Sequence, residues 1–573
     1  MRKQILLLAT SALFLSGCGT TNSSESSEVV TTPSCEISTS LGGTLEAFYS
    51  GKSLGNVTNS SPLKLNDLTL GETITIKASV DEGYKTASAT LNDATIKGSN
   101  HYYTVKIEKE TNVVKFSFKL IETDVNDFSF TLDKVSKEAT ISSYSPDEVP
   151  TPVILPSTYE KDGTKYTVTG IASGAFDNCE ATKITISSSI KNIEYGAFKN
   201  AYNMHYFDVD SSSTSFSAKD GVLMSKDGKE IIAFPTRYEQ SSYAVPESVT
   251  SIAPYAFYSN RVLKSINFSS SLANIGEYSF YNANTLKELS FPASLKKIDT
   301  YAFYQNSELT TINFSEGLEE IGSSAFYGLV KLQSLSFPKS LKIIRDNAFF
   351  KCDRLSSVTF SEGLEEIETL AFSNLTNFTK VSFPSTLKKI GNSAFSACSA
   401  LESVTFSEGL EEIGNYAFAL CSSITSISLP ASLKKVGYNP FYAVLGLDEN
   451  TFKISSSNQN YVISDGVLFT KDMTKLVSYP YGKEATTYVI PSTVSEISNQ
   501  AFRLNATLLE LTMPVSVTRI DEGFYSVTSA LHIIYEGSEA QFDAIDKTGS
   551  NSYGWKENAY SLYVTYSDST SEQ

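Results

Sequence analysis

The sequence predicts a mainly β protein whose bulk is a parallel-stranded solenoid, preceded by a small β-sandwich-like domain. Three observations carry this expectation. Phenylalanines recur every 23 residues through eight successive steps from Phe257 to Phe441. Each 23-residue unit holds two apolar segments and an Ala-Phe corner, as in Leu309-x-x-Ile312-x-Phe314, Leu318-x-x-Ile321 and Ala325-Phe326. Residues 36 to 121 instead alternate with period 2, as in Thr73-Ile74-Thr75-Ile76-Lys77-Ala78, the pattern of half-buried strands. A 23-residue unit cannot bury its apolar side alone, but stacked neighbours can share one continuous core.

Composition bounds the function. Of 573 residues, 41 % are hydrophobic and 19 % charged, which is enough apolar material for packed cores. Length alone would suggest about four domains. The net charge of −17 repels phosphate backbones and argues against nucleic acid as a partner. The three histidines, His101, His205 and His532, lie far apart, which disfavours histidine catalysis and zinc chemistry. Six cysteines are too few for a disulfide scaffold of this length. There is no Gly-x-Ser-x-Gly, His-Glu-x-x-His or phosphate-loop motif, so the expectation is a non-enzyme without cofactor or metal.

In chain order, Met1-Arg2-Lys3 and the apolar run Ile5 to Leu15 have the layout of a secretory signal, residues 1–17. Leu15-Ser16-Gly17-Cys18 resembles a bacterial lipobox, which implies that Cys18 is the lipid-modified first residue of the mature chain. Multiple acyl chains there would anchor the protein to the membrane, facing the extracytoplasmic side. No later segment approaches 18 consecutive apolar residues. Residues 18–34, rich in Ser and Thr, read as a flexible tether. Residues 35–121 read as the small β domain. Its Gly71-Glu72-Thr73-Ile74 and Asp81-Glu82-Gly83-Tyr84 resemble the β-sandwich spacer repeats of bacterial surface proteins.

The repeat reads Leu-x-x-Ile-x-Phe, then Pro-x-Ser-Leu-x-x-Ile-Gly-x-x-Ala-Phe, and it resembles the BspA-like leucine-rich repeat family. That resemblance implies a leucine-rich-repeat solenoid, here over residues 169–526. Flanking it are an N-terminal cap at 122–168 and a C-terminal cap and tail at 527–573, the latter including the single tryptophan, Trp555. It further implies adhesion or recognition at the cell surface. Insertions near 206–246 and 451–491 are copies of one another. Asp220-Gly221-Val222-Leu223 leads to Pro235, Pro246 and Phe257 with the spacings by which Asp465-Gly466-Val467-Leu468 leads to Pro480, Pro491 and Phe502. Asp227-Gly228 between apolar runs predicts a hairpin in each.

Four solvent-facing patterns follow the repeat. Lys296-Lys297, Glu319-Glu320, Lys342, Glu365-Glu366, Lys388-Lys389, Glu411-Glu412 and Lys434-Lys435 alternate in sign, predicting ion-pair ladders between rungs. The intervening lysines argue against a calcium row on Glu319, Glu365 and Glu411. Outward strand pairs such as Ser265 and Asn267, or Ser334 and Ser336, form a small, hydroxyl-rich face. Cys179, Cys352, Cys398 and Cys421 each lie three residues after a corner phenylalanine, where other repeats carry Asn260, Asn306, Ala283 or Leu375, so a packing position with buried thiols is expected. Cys398 and Cys421, on adjacent rungs, would be within reach of a disulfide.

Finally, tyrosines collect at the corner. Tyr258, Tyr281, Tyr304 and Tyr327 follow the corner phenylalanines, and Tyr255, Tyr278 and Tyr301 precede them by two. This ridge is the candidate binding surface for a protein or glycan on a host or neighbouring-cell surface, because tyrosine offers contact area and a hydroxyl together. The alternative is an envelope scaffold that organises neighbouring proteins and has no external ligand.

Overall fold

The structure is a computed structural model that describes residues 32–40, 43–81, 84–120, 123–146, 149, 152–503, 505, 507–521, 524, 531–547 and 563–568. The expected signal segment 1–17, Cys18, most of the tether and Trp555 lie outside the described residues. The chain divides into two compact units, Met1–Leu120 and Ile121–Gln573.

The first unit contains two five-stranded sheets. One orders Leu63–Leu65, Ser34–Thr39, Thr111–Leu120, Tyr84–Leu91 and Ala94–Thr95; the other orders Lys52–Val57, Gly43–Tyr49, Thr73–Val80, Tyr102–Lys106 and Gly98–Ser99. Alternation puts Ile74, Ile76 and Ala78 inward from one strand, as the period of 2 requires. Both sheets feed one core that includes Ile37, Leu45, Ile76 and Val114. Cys35 sits in that core, and burial pushes its thiol up to about 11.

The second unit is the solenoid. Phe280, Phe303, Phe326, Phe349, Phe372, Phe395 and Phe418 are fully buried. They form a column whose neighbouring ring centroids lie 4.8–5.4 Å apart. A second column from Phe268 to Phe406 has spacings of 5.5–5.8 Å and meets the first column edge-on. Each rung adds a two-residue strand, and these run parallel in one ladder from Ser251–Ile252 to Lys435–Val436. The three-residue strands pair two rungs at a time: Glu288–Ser290 with Thr311–Asn313, Ser334–Ser336 with Ser357–Thr359, and Lys380–Ser382 with Ser403–Thr405.

That two-rung period is built into the loops. Phe-Ser-Glu-Gly rungs alternate with rungs that carry Pro-x-Ser or Pro-x-Thr at the same place. Glu316 accepts hydrogen bonds from the N–H groups of Lys339 and Ser340, both at 3.1 Å. Glu408 does the same for Ala431 and Ser432. Glu362 accepts from the Ser385 N–H and hydroxyl, and these bonds hold its carboxyl below the usual range. In return the Gly317, Gly363 and Gly409 N–H groups donate to Ser340, Thr386 and Ser432 hydroxyls at 2.8–2.9 Å. The expected ion-pair ladders are present. Lys296 reaches Glu319 at 3.1 Å, Lys342 and Lys388 flank Glu365 at 3.5 and 3.2 Å, and Lys435 reaches Glu412 at 2.8 Å.

The insertions contain the expected hairpins and also something more. Phe216–Lys219 and Val222–Ser225 pair antiparallel, and Glu230–Ala233 returns against them before pairing parallel with Ser251–Ile252. Phe234 then stacks on Phe257 at 4.4 Å, and Tyr479 stacks on Phe502 at 5.0 Å. Each insertion therefore closes with a complete rung, 23 residues before the next corner. The first of these corners keeps the pair as Ala233-Phe234, the second replaces it with Ser478-Tyr479, and each runs directly into a proline, Pro235 and Pro480.

Both solenoid ends are capped. At the start, the sheet of Phe128–Asp133, Glu138–Tyr144, Thr164–Ile171 and Thr158–Lys161 pairs onward to Asn192–Ile193, and Tyr144 packs on Phe176. At the end, Thr487–Val489, Glu510–Met513, His532–Tyr535 and Tyr563–Tyr566 form a parallel sheet. It is closed by the helix Glu539–Asp543, which carries a Ser538/Gln541 capping box. No helix among the described residues is long and apolar enough to cross a membrane.

Candidate functional site

The corner backbone explains how the tyrosines are presented. Tyr255, Tyr278 and Tyr301 adopt φ of 63°, 55° and 56°, the left-handed region. Alternate N–H groups through each corner donate to the next rung: Tyr255 to Glu277 O, Phe257 to Ser279 O and Ser259 to Tyr281 O, at 2.7–3.0 Å. Those bonds hold the turn in an unfavourable conformation and drive the phenylalanine inward between two outward-leaning tyrosines.

The seven predicted tyrosines assemble into two columns. Tyr255, Tyr278 and Tyr301 stack at 5.0 and 4.8 Å. Tyr258, Tyr281, Tyr304 and Tyr327 stack at 5.1, 4.9 and 4.6 Å, and Phe350 extends that column at 5.2 Å. The columns touch, with centroids 5.4–5.6 Å apart within each rung. All seven are half-buried. Within the columns, neighbouring rings cover each other's faces, so the array offers ring edges and hydroxyls to solvent at a spacing set by the rungs. Burial pushes the hydroxyls of Tyr255, Tyr258, Tyr278 and Tyr304 above the ordinary tyrosine range, and neighbouring phenols or Glu277 add to the effect. The array therefore presents neutral phenol groups, which both donate and accept.

The ridge has defined ends. Tyr255 lies against Gly196. Tyr202, exposed and outside the repeat pattern, donates to Asn200 at 2.8 Å and lies under the Arg261 guanidinium at 5.2 Å. Beyond Phe350 the column turns small: Ser373 and Ser396 exchange a hydroxyl hydrogen bond at 2.8 Å. The strand face with Ser265, Asn267, Ser334 and Ser336 points outward as its alternation requires.

The cysteine column has a sharper role than packing. The Cys352, Cys398 and Cys421 thiols donate to the carbonyls of Phe326, Phe372 and Phe395 on preceding rungs, at 3.4, 3.3 and 3.1 Å. The Asn306 amide makes the same bond to Phe280 O at 2.8 Å. Asparagine and cysteine in this column both donate to a buried carbonyl, while Ala283 and Leu375 fill the same position by packing alone. Cys398 and Cys421 are free thiols, and burial raises Cys421 well above its ordinary value. His532 stacks on Tyr563 at the C-terminal cap, far in sequence from His101 and His205. Among the described residues no group of three or more His, Cys, Asp or Glu is placed to hold a metal.

The sequence matches the family described as BspA type leucine rich repeat region over residues 163–220, 232–356, 342–466 and 469–547, together well over half of the chain. The chain belongs to the BspA-type leucine-rich repeat family. Its stacked 23-residue units, corner phenylalanines and hairpin insertions are thus a BspA-type array. The BspA-type chain is also similar to a leucine-rich repeat protein from Bacteroides ovatus, with 20 % identity over 77 % of this chain and 99 % of the other, and a TM-score of 0.41. A leucine rich cell surface protein from Faecalibacterium prausnitzii gives 19 % identity, coverage of 75 % and 98 %, and a TM-score of 0.34. No curated protein matches the sequence.

Proposed function

We propose that this chain is a lipid-anchored cell-surface module that binds a protein or glycan along the tyrosine ridge. The observation that carries the reading is the double column of Tyr255, Tyr278, Tyr301 and Tyr258, Tyr281, Tyr304, Tyr327 on one corner of the solenoid. Stacking ranks the rings in register and fixes their rotamers before any ligand arrives, which lowers the ordering cost of binding. The regular row of phenols suits an extended ligand with repeating polar groups, such as a glycan chain or a strand edge. Cys18 supplies the anchor, and residues 19–34 the reach. Changing Tyr258, Tyr281 and Tyr304 to Ser tests the ridge. Binding of the mature chain on protein and glycan arrays falls while the fold, read by circular dichroism, is kept; full binding by the triple variant refutes the reading. Changing Cys18 to Ala releases the protein from membranes. Added protease removes it from intact cells, whereas an internal scaffold is protected.

A further inference from the structure

The two insertions fill one equivalent position differently. A shift of 245 residues maps Asp220 onto Asp465, Phe234 onto Tyr479, Glu239 onto Glu484 and Tyr243 onto Tyr488, but it maps Tyr238 onto Lys483. In the second copy the Lys483 side chain is 5 % exposed, with its ammonium 3.2 Å from Asp465 and 3.8 Å from Glu449. A buried lysine persists only with such partners. Tyr479 and Tyr488 meet each other edge-on at 5.2 Å, and the hydroxyls of both feel the Asp465 charge. This is a cation seat occupied by the chain's own lysine.

The first copy keeps the aspartate and the aromatic pair but neither the lysine nor the second carboxylate of the seat: the same shift places Met204 where the second copy has Glu449. Tyr238 stands at the lysine position, and among the described residues no cation pairs with Asp220. In place of the ion pair there is an open groove of about 560 Å³, whose lining includes His205, Tyr206, Asp220, Tyr238, Glu239 and Tyr243. Its wall is fixed. Tyr238 and Tyr243 meet edge-on at 5.7 Å, and both pack on Phe234. Tyr206 is seated on Gly221, where any Cβ would come within 2.6 Å of its ring. Lys183 covers the Tyr206 ring at 5.1 Å and reaches Asp208. The Asp220 carboxylate, aromatic rings and a second carboxylate at Glu239 are the groups that recognise an organic cation.

We propose that this groove binds an alkylammonium group, the head of a lysine side chain on a partner protein, seated against Asp220 as Lys483 seats its own against Asp465. The chain's net charge of −17 favours the approach of such a basic partner. The site is separate from the tyrosine ridge and does not depend on ligand binding there.

The test is saturation-transfer NMR on the full chain, titrated with Nα-acetyl-lysine N-methylamide. Choline and Nε-acetylated lysine serve as parallel arms. The lysine amide binds, and the neutral acetyl-lysine does not. Asp220→Asn weakens binding about tenfold. Tyr238→Lys rebuilds the second copy's ion pair inside the first, keeps the thermal unfolding midpoint and abolishes binding. Should Tyr238→Lys misfold, Asp220→Asn decides alone. The triple serine variant of the ridge binds the lysine amide undiminished. No detectable transfer, equal binding of acetyl-lysine, choline binding in the absence of lysine binding, or an unchanged affinity in Asp220→Asn each overturns the proposal.

Discussion

Gly317 offers a quantitative test of how the rungs interlock. Its φ is +120°, and a Cβ built there lies 2.0 Å from the Ala293 carbonyl oxygen of the preceding rung, where real Cβ atoms do not come within 3.0 Å. Gly317→Ala therefore adds two costs. The backbone strain of a non-glycine residue in that region is about 1–3 kcal/mol. Relieving the overlap by separating packed rungs costs about 1–3 kcal/mol more. A loss of about 2–6 kcal/mol is expected.

The matched control is Gly328, at φ +75° in the same rung, where the nearest atom to a new Cβ is Gln305 Cγ at 3.7 Å. Its equivalents Gln305 and Lys351 carry side chains at φ 57°, so the fold already tolerates one there. Gly328→Ala should cost no more than about 1–2 kcal/mol, the left-handed penalty, less what is gained from a stiffer unfolded chain. Urea unfolding followed by circular dichroism gives both values. Equal losses for the two variants would refute the claim that close rung contact, rather than backbone conformation alone, demands glycine.

Two further outcomes follow from the charges and thiols. Reversing Lys342 and Lys388 to Glu surrounds Glu365 with like charge. The melting temperature should fall at low salt by the equivalent of about 0.2–1 kcal/mol per exposed pair and recover in high salt. Glu365 is held below the usual carboxylate range by Lys388 first and Lys342 after it, so this stabilisation is present above the unfolded carboxyl range and is lost as pH falls through the folded value. Cys352 runs the other way. Burial pushes its thiol from 9.0 up to about 12, so the unfolded chain ionises first and stability falls as pH rises from 9 toward 12. Unfolding free energies from urea titrations above pH 9 should decline less steeply in Cys352→Ala, by about 1.4 kcal/mol per pH unit.

The core was legible in the sequence because it repeats locally. Each corner phenylalanine, and each Leu-x-x-Ile, has its partner at the same place one repeat away, so position in the period already states the contact. The ion ladders were readable for the same reason: Lys342 and Glu365 occupy one repeat position with opposite sign. Legibility stopped where a residue's role depends on a partner of a different kind. Cys398 and Asn306 look unrelated until the buried carbonyls of Phe372 and Phe280 show that both are donors. Ala233-Phe234 keeps the corner pair 23 residues before Phe257 and was readable from the period, whereas Ser478-Tyr479 has diverged and its packing on Phe502 reveals it.

The two-rung period also has a deeper cause than charge. Opposite signs on Lys296 and Glu319 favour alternation, but exposed pairs are individually weak. Glu316 instead covers two backbone N–H groups of the next rung, and Gly317 admits the carbonyl of the rung before and donates to the hydroxyl of the rung after. A Ser-Glu-Gly loop thus fits between two Pro-x-Ser or Pro-x-Thr loops. A slip by one rung would face glutamate with glutamate, leave amides uncapped and drive a serine Cβ into a carbonyl. Register is therefore set by steric and hydrogen-bond complementarity within the two-rung unit, with the surface charges following the same period. That rigidity in turn keeps the seven tyrosines of the corner in register along the solenoid.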